Sequence, residues 1–288
     1  MRYLKYFIQF LIIIILFIFF KILGYEKGSN LGALIGKIFG KYLRSENIIL
    51  KNISLINNAS KEKINNSNRI VQDVFSNYGR ILSDYIYLKN FRNGKLNNRI
   101  KVQGIEILEE IKKKNKKVVF VSGHFSNFEL MAMVIDSIGI NLSAIYRPLN
   151  NIFLNKIMEN IRVKYICKNQ IKKGKRGTRE MLAYLKKDFS VALMIDQRVT
   201  EGIKSNLFGQ PAFTTTIPAQ IIKKFGYEIV PVYIERLGKH KFDLTIEEPI
   251  KFENNLKIEE ITQKLNLILE KMILKNPSQW ILTHNRWK

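Results

Sequence analysis

From about residue 100 onward, short β-branched apolar runs alternate with helical patterns, and this alternation constrains the fold more than any other feature of the chain. The runs cover 118–121, 142–145, 191–195, 229–234 and 242–246, and the helical patterns between them begin near Ser126, Asn151, Gly177, Thr216 and Glu259. Strands that feed helices, which feed further strands, build parallel sheets covered on their faces. The expected fold is therefore α/β, with a largely parallel central sheet flanked by helices. At 288 residues with 46% hydrophobic content, the chain has ample material for such a core.

The amino terminus is of another kind. Residues 6–20 are apolar apart from Gln9, with Arg2 and Lys5 before them and Lys21 after. That run makes about 22 Å of helix, against a hydrocarbon core of roughly 30 Å. Snorkelling lysines and residues 22–25 can supply the remainder. No A-x-A-like cleavage site follows, so the segment is expected to stay as an anchor. Lys21, Lys27, Lys37, Lys41 and Arg44 outweigh Arg2 and Lys5, which places the body on the cytoplasmic side. Gly32, Gly36 and Gly40 form a small-residue ridge suited to packing on the anchor or on another subunit, or serve as plain flexible glycines. Residues 52–68 read as polar loops around a short segment, and 71–88 as an amphipathic helix. The expected division is 1–25 anchor, 26–100 helical membrane-proximal region and 101–288 α/β domain.

Forty-eight Lys plus Arg against 24 Asp plus Glu give a net charge of +24. Such a balance suits nucleic acid, a phospholipid surface or a phosphorylated substrate, and A/T-rich coding produces the same lysine excess. Arginine is more telling, because its planar fork matches phosphate. Arg147, Arg176, Arg179, Arg198 and Arg286 lie in or beside the segments with chemical character. The single Cys167 excludes an intramolecular disulfide, and His124, His240 and His284 supply a multi-histidine metal site poorly. No metal and no cofactor are expected.

The run Gly123-His124-Phe125-Ser126-Asn127-Phe128-Glu129 follows a strand pattern and precedes a helical one, which places His124 at a strand's carboxyl end, where open α/β sheets hold their sites. If the helix starts near Ser126, the Glu129 carboxylate can swing back to orient the imidazole while His124 removes a hydroxyl proton. Amides at the helix start would then serve a developing oxyanion. The same four residues 126–129 also read as an S-x-x-E capping box, in which Glu129 only satisfies a backbone amide. No G-x-S-x-G elbow is present and Cys167 has no histidine near it in sequence, so covalent catalysis lacks a nucleophile. Lys173-Gly174-Lys175-Arg176-Gly177-Thr178 matches no phosphate-loop fingerprint and reads as a basic loop entering a helix.

With its neighbours, the 123–129 run resembles the first block of the lipid A late acyltransferases, within the glycerophosphate and lysophospholipid acyltransferase superfamily. Tyr146-Arg147-Pro148-Leu149-Asn150-Asn151 is similar to the family's Tyr-Arg-Pro segment. Asp196-Gln197-Arg198 with Phe208-Gly209-Gln210-Pro211-Ala212 resembles its Asp-Gln and Phe-Gly-x-Pro-Ala block, and Gln279-Trp280 through His284, Arg286, Trp287 and Lys288 its carboxyl-terminal signature. Ser126 stands where the family often has Gly, and Phe128 where it often has Trp.

The resemblance implies transfer of an acyl chain from acyl carrier protein to a hydroxyacyl group of a phosphorylated lipid A precursor at the bacterial inner membrane. It further implies His124 and Glu129 as the catalytic pair, and Arg147, Asn150, Arg179, Asp196 and Arg198 as substrate-binding residues. Arg147 is the first candidate for the phosphorylated sugar, Arg179 and Arg198 follow it because either also fits a solvent-facing position, and Asp196 equally fits a turn cap. Surplus lysine would steer the acidic carrier protein. His284, beside Trp280 and Trp287, is expected to pack rather than catalyse. The Phe-Pro-Glu-Gly-Thr-Arg block of lysophosphatidate acyltransferases is absent, which favours a glycolipid acceptor. The competing readings are an acyltransferase for a lysophospholipid or another glycolipid, and a non-enzymatic membrane-tethered basic protein; no nucleic-acid partner is expected.

Overall fold

A computed structural model of the chain describes residues 2–60 and 63–288. Helix α1 (Arg2–Leu43) is broken at Gly24, whose φ of 77° and ψ of 171° suit a residue without a Cβ. By length and composition α1 is apolar enough to cross a membrane. Beyond the break it crosses α3 (Ser67–Asp84) so closely that a Cβ on Gly79 would collide with the Gly32 carbonyl, and one on Gly36 with that of Phe75. The glycine ridge therefore packs within this chain. Between them lies α2 (Glu46–Ala59), which corrects the expectation of loops over 52–68. The Asn52 amide donates to the Leu282 and His284 carbonyls at 2.8 and 2.9 Å, so a tertiary contact rather than a turn uses this polar side chain. Lys61 and Glu62 of that stretch lie outside the described residues. The amphipathic helix expected over 71–88 ends earlier, at Asp84, and a 3₁₀ turn leads into the short α4 (Leu88–Arg92).

The remaining elements alternate as the sequence implies. In chain order they are β1 (Ile100–Gln103), α5 (Ile105–Lys113), β2 (Val118–Ser122), α6 (Glu129–Ser137), β3 (Leu142–Tyr146), α7 (Ile152–Ile161) and β4 (Asn169–Lys172). Then follow α8 (Lys175–Leu185), β5 (Ser190–Met194), β6 (Ile203–Leu207), β7 (Gln210–Thr214), α9 (Ile217–Phe225), β8 (Glu228–Leu237), β9 (Lys241–Ile246) and α10 (Ile258–Lys275). Seven strands form one sheet in the order β1-β9-β8-β2-β5-β3-β4, and β6 and β7 form a separate hairpin. Every pairing in the large sheet is parallel except β8 with β9. Each residue of β2 is buried, as a strand covered on both faces must be.

The order of the central strands decides where chemistry can gather. β2 lies directly beside β5, with Ser122 opposite Met194, and β5 lies beside β3. The loops that leave the carboxyl ends of β2, β5 and β3 therefore emerge side by side. After α10 the tail turns back over these loops, and Phe125 forms an isolated bridge with Trp280, whose side chain is buried together with that of Arg286.

Candidate active site

His124 leaves β2 two residues past its end, and Asp196 leaves β5 two residues past its own. Their adjacency in the sheet brings them together: His124 Nδ1 lies 2.7 Å from Asp196 Oδ1, and the His124 amide donates to Oδ2 at 2.7 Å. The Trp280 indole N–H donates to the same Oδ2 at 2.9 Å. Gly123 permits this approach, because a Cβ there would press on Phe125 and on the Asp196 carboxylate. Asp196 is fully buried, and burial alone would raise its carboxyl; the charge and hydrogen bonds of His124, with that of Trp280, hold it below the usual range instead. Burial pushes the His124 imidazole down, but Asp196 and, less strongly, Glu129 outweigh it and raise the ring above its ordinary value. With Nδ1 committed to Asp196, Nε2 has no hydrogen-bond partner among the described residues.

The expected contact between Glu129 and the imidazole is not formed. Ser126 adopts a φ of 41°, so α6 starts only at Glu129, and neither the capping box nor a helix from Ser126 exists. The Glu129 carboxylate turns instead to the turns that follow α7 and α3. Glu129 Oε1 accepts from Arg162 Nε at 2.8 Å, from Arg162 Nη2 at 2.6 Å and from the Tyr85 hydroxyl at 2.5 Å. A π turn over Arg162–Ile166 closes α7 and carries Arg162. The amides of His124, Phe125 and Ser126 bond Asp196, Gly123 and Gln279, so none of the three is free for an oxyanion.

Behind the loop lies a second buried ion pair. Asp84 accepts from Arg236 Nη2 at 2.5 Å and from the Asn127 amide at 3.1 Å, and the Arg236 guanidinium rests 4.4 Å from the Phe242 ring centroid. The Gln279 side chain bonds both the amide and the carbonyl of Arg236. These contacts clamp residues 125–127 between α3, β8 and the tail.

In front of His124 opens a cavity of about 540 Å³, within the range of small-molecule sites. Ala132, Ala144, Ile166, Ala192 and Leu193 line its apolar part, and Ala144 and Ala192 face each other as neighbours on β3 and β5. Arg44, Arg147, Asn150, Arg162, Lys173 and Glu129 add polar groups. Of the residues singled out from sequence, His124, Glu129, Arg147 and Asn150 thus line one cavity, and Asp196 backs it. Arg179 is exposed on α8 and does not line it. Arg198 stacks its guanidinium 5.5 Å from the Phe213 ring centroid, and its amide donates to His284 Nε2 at 3.0 Å. His284 is half-buried in the cavity wall, with burial lowering its imidazole. Tyr85 and Arg162 had no sequence signal of their own, whereas the Trp280 indole lay within the carboxyl-terminal block and Lys173 opened the basic loop that enters α8.

The sequence profile of the family described as "Bacterial lipid A biosynthesis acyltransferase" matches residues 1–288. The chain is also 21% identical over 261 residues to the "Lipid A biosynthesis myristoyltransferase" of Escherichia coli (strain K12), covering 88% of this chain and 78% of that protein. A parallel α/β sheet, an imidazole held at a strand end before a half-apolar cavity, and a family match along the whole length agree: this chain belongs to the bacterial lipid A biosynthesis acyltransferases, enzymes that carry an acyl group from a donor to a glycolipid.

Proposed function

We propose that the chain transfers a fatty acyl group from an acyl carrier protein thioester to a hydroxyacyl hydroxyl of a phosphorylated lipid A precursor, at the cytoplasmic side of the bacterial inner membrane, with α1 as its anchor. The observation that carries this reading is His124, with Nδ1 fixed by Asp196 and its ring in the wall of the cavity. Nε2 takes the acceptor's hydroxyl proton as the oxygen attacks the thioester carbonyl. Collapse of the tetrahedral intermediate forms the ester and breaks the carbon–sulfur bond, and the imidazolium returns its proton to the departing thiolate.

Asp196 acts here as the orienting carboxylate, holding one tautomer and favouring the imidazolium that forms. Glu129, the partner expected from sequence, keeps a place in the site as a nearby negative charge and as the group that fixes Arg162. The alanine-lined part of the cavity suits an acyl chain. Arg147, with Asn150, Lys173 and Arg44 on the same lining, suits a phosphorylated sugar. Arg179 and Arg198 do not themselves line the cavity and are not assigned to the acceptor. The name of the Escherichia coli relative supports a lipid A precursor as acceptor.

Membranes carrying the protein are expected to acylate the precursor when supplied with an acyl carrier protein thioester. Those carrying His124→Ala should make about 10²- to 10⁴-fold less product per unit time, the range for loss of a general base. Equal rates for both proteins would contradict the assignment. Unchanged lipid A in a strain lacking the gene, read by mass spectrometry, would contradict the acceptor.

A further inference from the structure

Helix α1 touches the body along its length, not only where it meets the rest of the chain. Near its start, the Tyr6 carbonyl accepts from the Asn151 side chain at 2.8 Å. Phe7 and Phe10 hold the Phe153 ring, with centroids at 5.6 and 5.8 Å. Further on, Ile13 and Phe17 are half-buried and Phe20 is fully buried, and the Phe20 carbonyl accepts from the Tyr87 hydroxyl at 2.6 Å. Phe10, Ile13, Phe17 and Phe20 recur at three- and four-residue steps and so share one face. Leu4, Ile8, Leu11, Ile15, Ile18 and Ile22 repeat at the same steps and are exposed.

From Tyr6 to Phe20 the axis runs about 21 Å. A helix standing upright in the bilayer, with Lys21 at one surface, would hold its Tyr6 end about that deep. It would carry Asn151 and α7 down with it. Yet α7 bears the exposed Lys156 and Asn160, and its Glu159 pairs with Lys172 at 2.9 Å. A charged side chain near the bilayer centre is unfavourable even on the lenient insertion scale. An anchor lying along the interface avoids that cost and still buries its apolar face.

Other exposed apolar side chains sit on α1 itself and on or beside α7, which α1 touches. Leu149 and Ile152 flank Asn151, Val163 follows α7, and Leu34, Ile38 and Phe39 stand out from the second limb of α1 among Lys37 and Lys41. The cavity mouth belongs to the same side: Arg44, just past α1, and Leu149 with Asn150, beside the start of α1, both line it.

We infer that α1 does not cross the bilayer, and that its exposed face together with Leu149, Ile152 and Val163 docks the protein onto one leaflet, with the cavity mouth at headgroup level. Anionic headgroups are the complement of Lys37, Lys41, Arg44 and Lys173 around this face. The arrangement lets a lipid acceptor enter sideways from the leaflet in which it resides. The inference takes from the proposed function only that α1 is membrane-bound.

The test uses the full chain in sealed vesicles of both orientations and a membrane-impermeant maleimide. Cys167 is buried, and burial pushes its thiol up to about 12, so introduced cysteines report alone. Arg2→Cys is expected to label from the same side as Leu267→Cys, an exposed site on α10. Labelling from opposite sides would overturn the inference. In parallel, a fluorophore on Ile152→Cys should be quenched at least twofold by brominated lipids while one on Leu267→Cys is not. If Arg2→Cys stays unlabelled from both sides, this second result decides, and equal quenching at the two sites counts against docking. Recovery of the protein in the soluble fraction after alkaline extraction would instead defeat the anchor itself.

Discussion

Asp196 and Glu129 are two buried carboxylates that both act on one imidazole, and they are engaged by different groups. Asp196 accepts from an imidazole, a backbone amide and an indole N–H. Glu129 accepts twice from a guanidinium and once from a phenol. A carboxylate facing Nδ1 leaves Nε2 of the ring available and makes it more basic. A carboxylate facing a permanently charged guanidinium is already matched, and what it adds to His124 is a weaker, longer-range attraction. The comparison assigns positioning to the end of β5 and scaffolding to the junction of α6 and α7.

The largest break of this comparison comes from the imidazole shared by both sides, the His124→Ala loss of activity given above. Next is Arg162→Met. It leaves Glu129 as an uncompensated buried charge, and thermal or denaturant unfolding should show about 3–5 kcal/mol of lost stability. A loss under 1 kcal/mol would mean that the pair is not the scaffold described. Trp280→Phe keeps a ring in place but removes one donor to Asp196. The charge-assisted bond is worth about 1.5–3 kcal/mol, and a tenfold or greater fall in kcat with little change in KM should accompany its loss. A matching loss of thermal stability with kcat intact would make Trp280 purely structural.

The smallest effect is expected at Ser126, which holds φ 41° between the two regions with its hydroxyl buried and unpartnered. Ser126→Gly should stabilise the fold by about 1 kcal/mol, the difference between relieved strain and added unfolded-state entropy. Destabilisation in a melting curve would mean that the hydroxyl has a partner after all.

Strand runs that are β-branched and buried on both faces were legible in the sequence, as was the strand-end position of His124. The strands that escaped notice have clear physical reasons: β4 is the polar edge run Asn169–Lys172, β1 spans only four residues, and the β6–β7 hairpin carries alternate polar side chains. Asn52 and Asn57 read as loop formers, but from within α2 Asn52 holds the carboxyl-terminal tail and Asn57 bonds the backbone of Ile64 in the loop before α3. The partner of His124 was sought five residues away and came from 72 residues away, because the adjacency of β2 and β5 is a property of strand order that spacing along the chain does not encode. Arg162, a single arginine closing a helix, had nothing in its neighbourhood to distinguish it.

The most direct test of the central claim, that Asp196 and not Glu129 is the ring partner, is the acid limb of kcat/KM in three proteins. A general base works only when neutral, so activity falls as pH drops through the His124 pKa. Because Asp196 raises that pKa, the wild-type limb should lie above 6.5. Asp196→Asn leaves burial as the dominant influence and should move the limb below 6.5, while Glu129→Gln should move it in the same direction by less. A larger shift in Glu129→Gln than in Asp196→Asn would contradict the account.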